Sequence, residues 1–173
     1  KSTTDPLGNV TSYTYDKRGN LVAVTDAASK ITRFVYDSQD RKIATIDALG
    51  DVTVNTYDTA GNLIVTRTYS TALSATILSG LPLQATSSAW SSLSNATTDH
   101  VTYFTYDKDG RLRFTVDALG HVTGRVYDAD GNVLHTTAYD GGVTPAYYSL
   151  SSLTALVASM PSRSTRSVYD AAG

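Results

Sequence analysis

The side chains from which this chain could assemble a reactive or binding site are three histidines, sixteen acidic residues and a phased series of tyrosines. A histidine serves as a general base only with a nucleophile in hydrogen-bond reach. His100 and His121 fall at turn positions where equivalent segments carry Asn9, Lys30 or Asp51, and His135 stands where others carry Ala23, Ala44, Val65 and Phe114. Positions open to such exchange belong to turns and variable strand faces, so no catalytic residue is expected. Gly-x-Ser-x-Gly, His-Glu-x-x-His and phosphate-cradling glycine loops do not occur. The chain reads as no enzyme.

The carboxylates offer a second chemistry. Asp107-Lys108-Asp109-Gly110 and Asp128-Ala129-Asp130-Gly131-Asn132 look like half of a calcium loop. An EF-hand needs a further ligand before its Gly and a Glu at the loop's end. Here the Gly comes early, and all sixteen acidic residues are Asp. Asp accepts turn hydrogen bonds from backbone N–H groups two residues on, so these residues read as turn makers. No metal or cofactor is expected, with a weak calcium site across adjacent turns as the alternative. The tyrosines offer a third chemistry, sugar stacking. A ladder of identical aromatics is more often packing between neighbouring hairpins, and core is the reading preferred over a glycan platform.

These residues recur in one unit, Tyr-Asp followed three residues after the Asp by Gly, or once by Asp. The copies are Tyr15-Asp16 with Gly19, Tyr36-Asp37 with Asp40, Tyr57-Asp58 with Gly61, Tyr106-Asp107 with Gly110, Tyr127-Asp128 with Gly131, and Tyr169-Asp170 with Gly173. The step from Tyr15 to Tyr36 recurs from Tyr36 to Tyr57 and from Tyr106 to Tyr127, and wider gaps separate Tyr57 from Tyr106 and Tyr127 from Tyr169. A fixed period of roughly 21 residues signals an array of supersecondary units. Four residues before each Tyr stands Thr (Thr11, Thr32, Thr53, Thr102, Thr123, Thr165). Thr, Tyr and the position between them alternate and share one face of a strand, with Val10/Ser12/Thr14, Ile31/Arg33/Val35 and Val52/Val54/Thr56 on the other. A second strand follows each Tyr-Asp turn (Leu21–Thr25, Arg41–Ile46, Leu63–Arg67, Leu112–Val116, Val133–Thr137). Asp47-Ala48-Leu49-Gly50 and its relatives then turn the chain back. Each unit is two strands and two Asp-x-x-Gly turns, which argues an all-β fold.

The Tyr-Asp-x-x-Gly-Asn/Arg-Leu runs at Tyr15–Leu21, Tyr57–Leu63 and Tyr106–Leu112, with Asp47–Thr53 and Asp117–Thr123, closely resemble the RHS/YD-repeat family. The resemblance implies that these antiparallel β-hairpin repeats coil into a curved, spiralling sheet. In that family the sheet closes as a hollow shell in large secreted or polymorphic-toxin proteins and in teneurins. The family's self-cleavage segment and variable effector have no match here, so protease or toxin activity is not carried over. The implied function is a non-enzymatic structural segment of a shell that encapsulates a cargo such as a C-terminal toxin domain. The alternative is a cell-surface adhesion or carbohydrate-binding module. The resemblance further implies a bacterial secreted or cell-surface setting. Partners would be neighbouring repeats of the same parent chain, an enclosed protein cargo, and copies of itself through exposed strand edges.

Residues 1–69, 99–139 and 163–173 read as YD repeats, and 70–98 and 140–162 as inserts within one continuous array. Both inserts leave the repeat at the same distance after a YD tyrosine, at Tyr69 and Tyr139, which suggests a longer, two-level repeat running from Tyr57 to Tyr127. Leu150, Leu153, Leu156, Val157 and Met160 are spaced for a short amphipathic helix after a Ser cap, ending at Pro161. Thr71–Leu81 is expected to form a similar helix stopping at Pro82, with a further helical turn in Gln84–Thr98. The preferred reading packs both on a sheet face. The other projects them toward a partner, with Trp90 as the aromatic anchor.

The chain has no Cys and hence no disulfide framework. Its net charge of −2 comes from interspersed signs, so no nucleic-acid footprint is seen. No apolar run reaches the ~18 residues needed to span a bilayer. Both termini fall inside a repeat, and the chain is expected to be a piece of a longer array.

Overall fold

The computed structural model describes residues 1–91, 93 and 98–166. Its strands are β1 (Ser2–Thr4), β2 (Val10–Tyr15), β3 (Leu21–Thr25), β4 (Ile31–Tyr36), β5 (Lys42–Ile46), β6 (Val52–Tyr57), β7 (Leu63–Thr68), β8 (His100–Tyr106), β9 (Leu112–Val116), β10 (Val122–Tyr127), β11 (Val133–Tyr139) and β12 (Ser162–Arg166). They follow one another in the sheet in chain order, from β1 to β12. The hairpin array expected from the sequence is thus the observed fold class.

One turn chemistry closes the hairpins. In the Asp16 turn the Asp N–H donates to Asn20 O (2.9 Å), and the Gly19 N–H donates to Asp16 O (3.2 Å). This is a tight turn followed by a left-handed residue. Gly19, Gly61, Gly110 and Gly131 supply that residue at φ of 95°, 92°, 75° and 90°. Asp40 and Ser29 adopt it without glycine, at φ 59° and 61°.

The hairpins made by Tyr-Asp turns carry one more device. Tyr15 pairs with Leu21, but Thr14 pairs with Ala23, so Val22 is an extra residue in β3. The same shift falls at Val35/Tyr36, Thr105/Tyr106 and Val126/Tyr127. A bulge of this kind interrupts strict alternation. Val22 and Ala23 are accordingly both buried although adjacent.

The chain divides into two compact units, Lys1–Asn55 with Arg67–Asp99, and Thr56–Thr66 with the chain from His100 onward. In the first, the core is Val35, Ala44, Ile46, Val52, Leu73, Ala85 and Trp90. Helix α1 (Ala75–Gly80) and a 3-10 turn (Ser87–Trp90) belong to its insert. In the second, the core is Phe114, Val116, Val122, Leu153 and Val157, with helix α2 (Leu150–Val157) supplying the last two. Each insert therefore packs apolar residues on the sheet of its own unit.

Three expectations change. The buried sheet face is the one bearing Arg33, Val35 and Val52, not the one bearing Thr and Tyr. The tyrosine column is half-buried at Tyr36, Tyr57, Tyr106 and Tyr127, and Tyr15 is 43% exposed. The inserts pack against the opposite, β-branched face. Trp90 is 6% exposed inside the first core, which removes it as a surface anchor. Helix α1 begins at Ala75 rather than Thr71, because Ser74 caps it by accepting from the Ile77 N–H (3.4 Å). In α2 the expected Ser149 cap accepts from Ser152 N–H (3.2 Å).

The longer repeat suggested by the two inserts is visible in the packing. The Leu73 N–H donates to Gly50 O and the Val143 N–H to Gly120 O, both at 2.9 Å. At Gly50 a Cβ would stand 2.5 Å from Leu73 O, and at Gly120 closer still to Val143 O. Glycine is required at both places for the insert to dock against the turn. One cross-strand pair differs in size: Ala44 faces Val54 in the first unit, whereas Phe114 faces Gly124 in the second.

Candidate functional site

The Tyr-Asp elements are the natural place to look for a site, and their polar atoms prove to be engaged within the fold. One Asp16 carboxylate oxygen accepts the N–H groups of Arg18 (2.9 Å) and Asn20 (2.8 Å), and the other accepts Asn20 Nδ2 (3.1 Å). Asp107 does the same with Asp109 N–H (3.0 Å), Arg111 N–H (2.9 Å) and Arg111 Nε (2.9 Å). Asp128 repeats it with Asp130, Asn132 and Asn132 Nδ2. Asp37 holds Gln39 and Arg41 in the same manner. Hydrogen bonds to a carboxylate favour its ionised form. The Asn62 side chain holds Asp58, and the Asn132 N–H holds Asp128, below the usual carboxylate range. In Asp16, Asp37 and Asp107 desolvation pushes upward, and the turn hydrogen bonds overcome it.

Neighbouring turns are tied along one edge. Arg18 Nη1 donates to Ser38 O (2.7 Å) and to Asp40 Oδ1 (3.1 Å), and Asn20 Nδ2 donates to the same Asp40 oxygen (2.8 Å). Arg111 Nη1 likewise reaches Asp128 O (3.3 Å). Among the described residues no three His or Asp side chains gather where they could hold a metal ion.

The tyrosine hydroxyls form a second ladder. Tyr36 donates to Leu21 O (3.1 Å), Tyr106 to Leu63 O (2.8 Å) and Tyr127 to Leu112 O (2.7 Å). Each acceptor is the sixth residue after the preceding YD tyrosine, and for Tyr106 the bond passes over the whole first insert in sequence. Burial, aided by the charge of Asp16 or Asp58, pushes the Tyr36 and Tyr106 phenols up. Arg111 lies over the Tyr127 ring, 5.3 Å from its centre. Tyr169, Asp170 and Gly173 lie outside the described residues.

Two buried polar residues beside the first insert were missed by sequence reasoning, Arg33 on β4 and Asp99 just before β8. Arg33 is 5% exposed. Its guanidinium donates to the carbonyls of Pro82 (3.0 Å), Leu81 (3.2 Å) and Leu78 (3.5 Å), closing the C-terminal end of α1. A cation there satisfies orphan carbonyls and complements the helix dipole. Burial pushes this guanidinium below its ordinary value. Asp99, whose side chain is fully buried, pairs with Arg67 Nη1 (2.9 Å) and accepts Ser70 N–H (3.1 Å). It thereby pins the two ends of the insert together. The available signal for Arg33 was a charge in a column that also holds Ser12, Val54, Tyr103, Gly124 and, in the last copy, Arg166.

Among the described residues no histidine is hydrogen-bonded to a nucleophile. His121 Nδ1 meets Asp117 Oδ2 (2.9 Å) inside its own turn, His100 is exposed, and His135 sits on β11 opposite Val126 and Arg166. A half-open groove of about 660 Å³ in the first unit has Val22, Val35, Ile43 and Ala85 in its lining. Asp16, Asp37 and Asp40 also line it, and they are the turn acceptors already described.

Comparison with known proteins agrees with this geometry. Residues 1–31 and 15–52 match the family model described as RHS Repeat. No curated protein matches the chain. Among solved structures, TcdB2-TccC3-Cdc42 is similar at 17% identity with a TM-score of 0.57, covering 83% of this chain and 7% of that one. TcdB2-TccC3 is similar at 18% identity and 0.57, covering 83% and 8%. TcdB2-TccC3 without hypervariable C-terminal region gives 16% and 0.55, covering 85% and 7%. At these identities the likeness is one of fold, and this chain spans less than a tenth of those chains.

Proposed function

We propose that this chain, whose residues 1–52 match the RHS Repeat family model and whose fold is a hairpin array, is a non-enzymatic structural segment of a larger wall enclosing a protein cargo. The observation that carries the reading is the commitment of the repeated polar groups to the sheet. Asp16, Asp37, Asp107 and Asp128 are consumed as turn acceptors, and the hydroxyls of Tyr36, Tyr106 and Tyr127 bind the preceding repeat. What remains is a sheet whose neighbouring strands pair with one another, with Arg125 Nη1 on β10 as a buried side-chain nitrogen left without a partner among the described residues. Such a sheet acts sterically, by keeping what lies behind it from solvent and from targets.

The proposed cargo class is suggested by the name of one similar structure, TcdB2-TccC3 without hypervariable C-terminal region. By analogy, the cargo here is a C-terminal domain of the parent chain, such as a toxin, and the setting is secreted or on the cell surface. In this reading the repeats at 1–69, 99–139 and 163–173 belong to the wall, and the inserts at 70–98 and 140–162 each belong to the sheet of their own unit. The test is the reading frame on both sides of this segment. Further Tyr-Asp repeats followed by an unrelated C-terminal domain support the proposal. A wall or membrane anchor after the repeats, with no such domain, contradicts it and favours an adhesin.

A further inference from the structure

The chain contains three Asp-Gly bonds, Asp109-Gly110, Asp130-Gly131 and Asp140-Gly141. This dipeptide is chemically special. The Gly N–H is unshielded by any side chain, and its nitrogen can attack the Cγ of the preceding Asp. The N–Cγ bond forms, the Cγ–OH bond breaks, and water leaves, giving a five-membered succinimide. Water then adds back to either imide carbonyl. Addition at the main-chain carbonyl yields isoaspartate, with the original Asp restored by the other addition and no net change in mass.

The fold treats the three sites differently. Gly110 N–H is held by Asp107 O (3.1 Å) and Gly131 N–H by Asp128 O (3.3 Å), the hydrogen bonds that define their turns. Attack requires the nitrogen to leave those bonds and the turn to open. Asp140-Gly141 lies outside a Tyr-Asp turn, just past the end of β11. Among the described residues Gly141 N–H has no acceptor, and both Asp140 and Gly141 are exposed. Gly141 is followed by Gly142, so no side chain crowds the nitrogen from that direction. Among the described residues the carboxylate is restrained by Arg163, with Nε 3.4 Å from Asp140 Oδ2.

We infer that Asp140-Gly141 is a spontaneous isoaspartate-forming site, built into the base of the second insert, and that the repeat turns protect the other two Asp-Gly bonds from the same reaction. The location gives the reaction a structural consequence. Asp140 N–H donates to Pro161 O (2.6 Å), and Val143 docks on Gly120. An isoaspartate inserts an additional backbone carbon between these two anchors, so the register of the insert over its core is disturbed as the protein ages.

The purified chain, incubated in warm neutral buffer, tests this by peptide mapping with Asp-N protease, which does not cut before isoaspartate, and by fragment ions that locate the isomer. The expected result is progressive loss of cleavage before residue 140 with cleavage before residues 109 and 130 retained. Asp140→Glu, whose longer arm disfavours the five-membered ring, abolishes the isomer at that position. Arg163→Ala, which releases the carboxylate, accelerates it. Isoaspartate appearing at 109 or 130 as fast as at 140, or an Arg163→Ala rate no higher than the parent's, overturns the inference.

Discussion

The pair Phe114 and Gly124 offers the sharpest test of how the second core is packed. Phe114 is 3% exposed and faces Gly124 directly across β9 and β10. A Cβ on Gly124 would stand 2.9 Å from Phe114 Cε1 and 3.1 Å from Tyr139 Cε2. Phe114→Ala should cost about 3–5 kcal/mol through lost burial and the cavity left behind. Gly124→Val should cost about 1–3 kcal/mol by overpacking against that ring. Independent effects would sum to about 4–8 kcal/mol. The double variant recreates the Ala44–Val54 pair that occupies the equivalent place in the first unit. Its valine no longer meets the Phe114 ring, keeps only the contact with the Tyr139 edge, and fills part of the vacated space. The expected total is therefore below that of Phe114→Ala alone, with a coupling energy at least as large as the Gly124→Val cost of about 1–3 kcal/mol. Urea unfolding at unchanged slope measures each corner of the cycle. If Phe114→Ala does not fold, Phe114→Leu supplies a milder corner. Additivity within about 0.5 kcal/mol would refute the reasoning, because it would mean that the two positions do not share space.

Trp90 is the only tryptophan; its native emission should be blue-shifted and move red on unfolding. Trp90→Ala should cost about 3–5 kcal/mol, whereas a solvent-like native spectrum and a loss below about 0.5 kcal/mol would place it at the surface. Tyr127→Phe removes a 2.7 Å donor to Leu112 O and should cost about 0.5–1.5 kcal/mol by urea midpoint; an unchanged midpoint would show the hydroxyl ladder to be idle. The folded-state pKa values of Asp5, Asp40, Asp58 and Asp128 are depressed by their hydrogen bonds. Groups of that sign contribute stability that is full above the unfolded carboxylate value of about 3.9 and lost as pH falls through the lower folded values. The urea midpoint should therefore be flat from neutral pH down to about pH 5 and drop below about pH 4; a midpoint that holds through the acid range would contradict the turn assignment.

Hairpin order and turn positions were legible in the sequence because each Asp-x-x-Gly turn carries its own signal. β3 and β9 begin and end where alternation and turn residues place them. The choice of buried face was not legible. The Thr and Tyr column is the more regular and aromatic one, yet burial is decided by where the inserts fold, and that depends on contacts distant in sequence. The bulge at Val22 adds to the difficulty, since it sends two adjacent residues to one side. Arg33 illustrates the same limit: its column position was readable, but its partners at Leu78, Leu81 and Pro82 lie far along the chain, in the first insert. Among the Tyr-Asp residues the turn role of Asp was readable from local chemistry. The reach of each tyrosine to the preceding repeat was not, because it is a property of neighbouring hairpins.

Limited proteolysis of the full-length gene product tests the enclosing role most directly. The domain that follows the repeats, expressed alone, is compared with the same domain in the intact protein. The account predicts that the domain is cut readily by itself and resists cleavage while the repeat array is present. Equal cleavage in both forms would contradict enclosure and leave the array as an exposed surface structure.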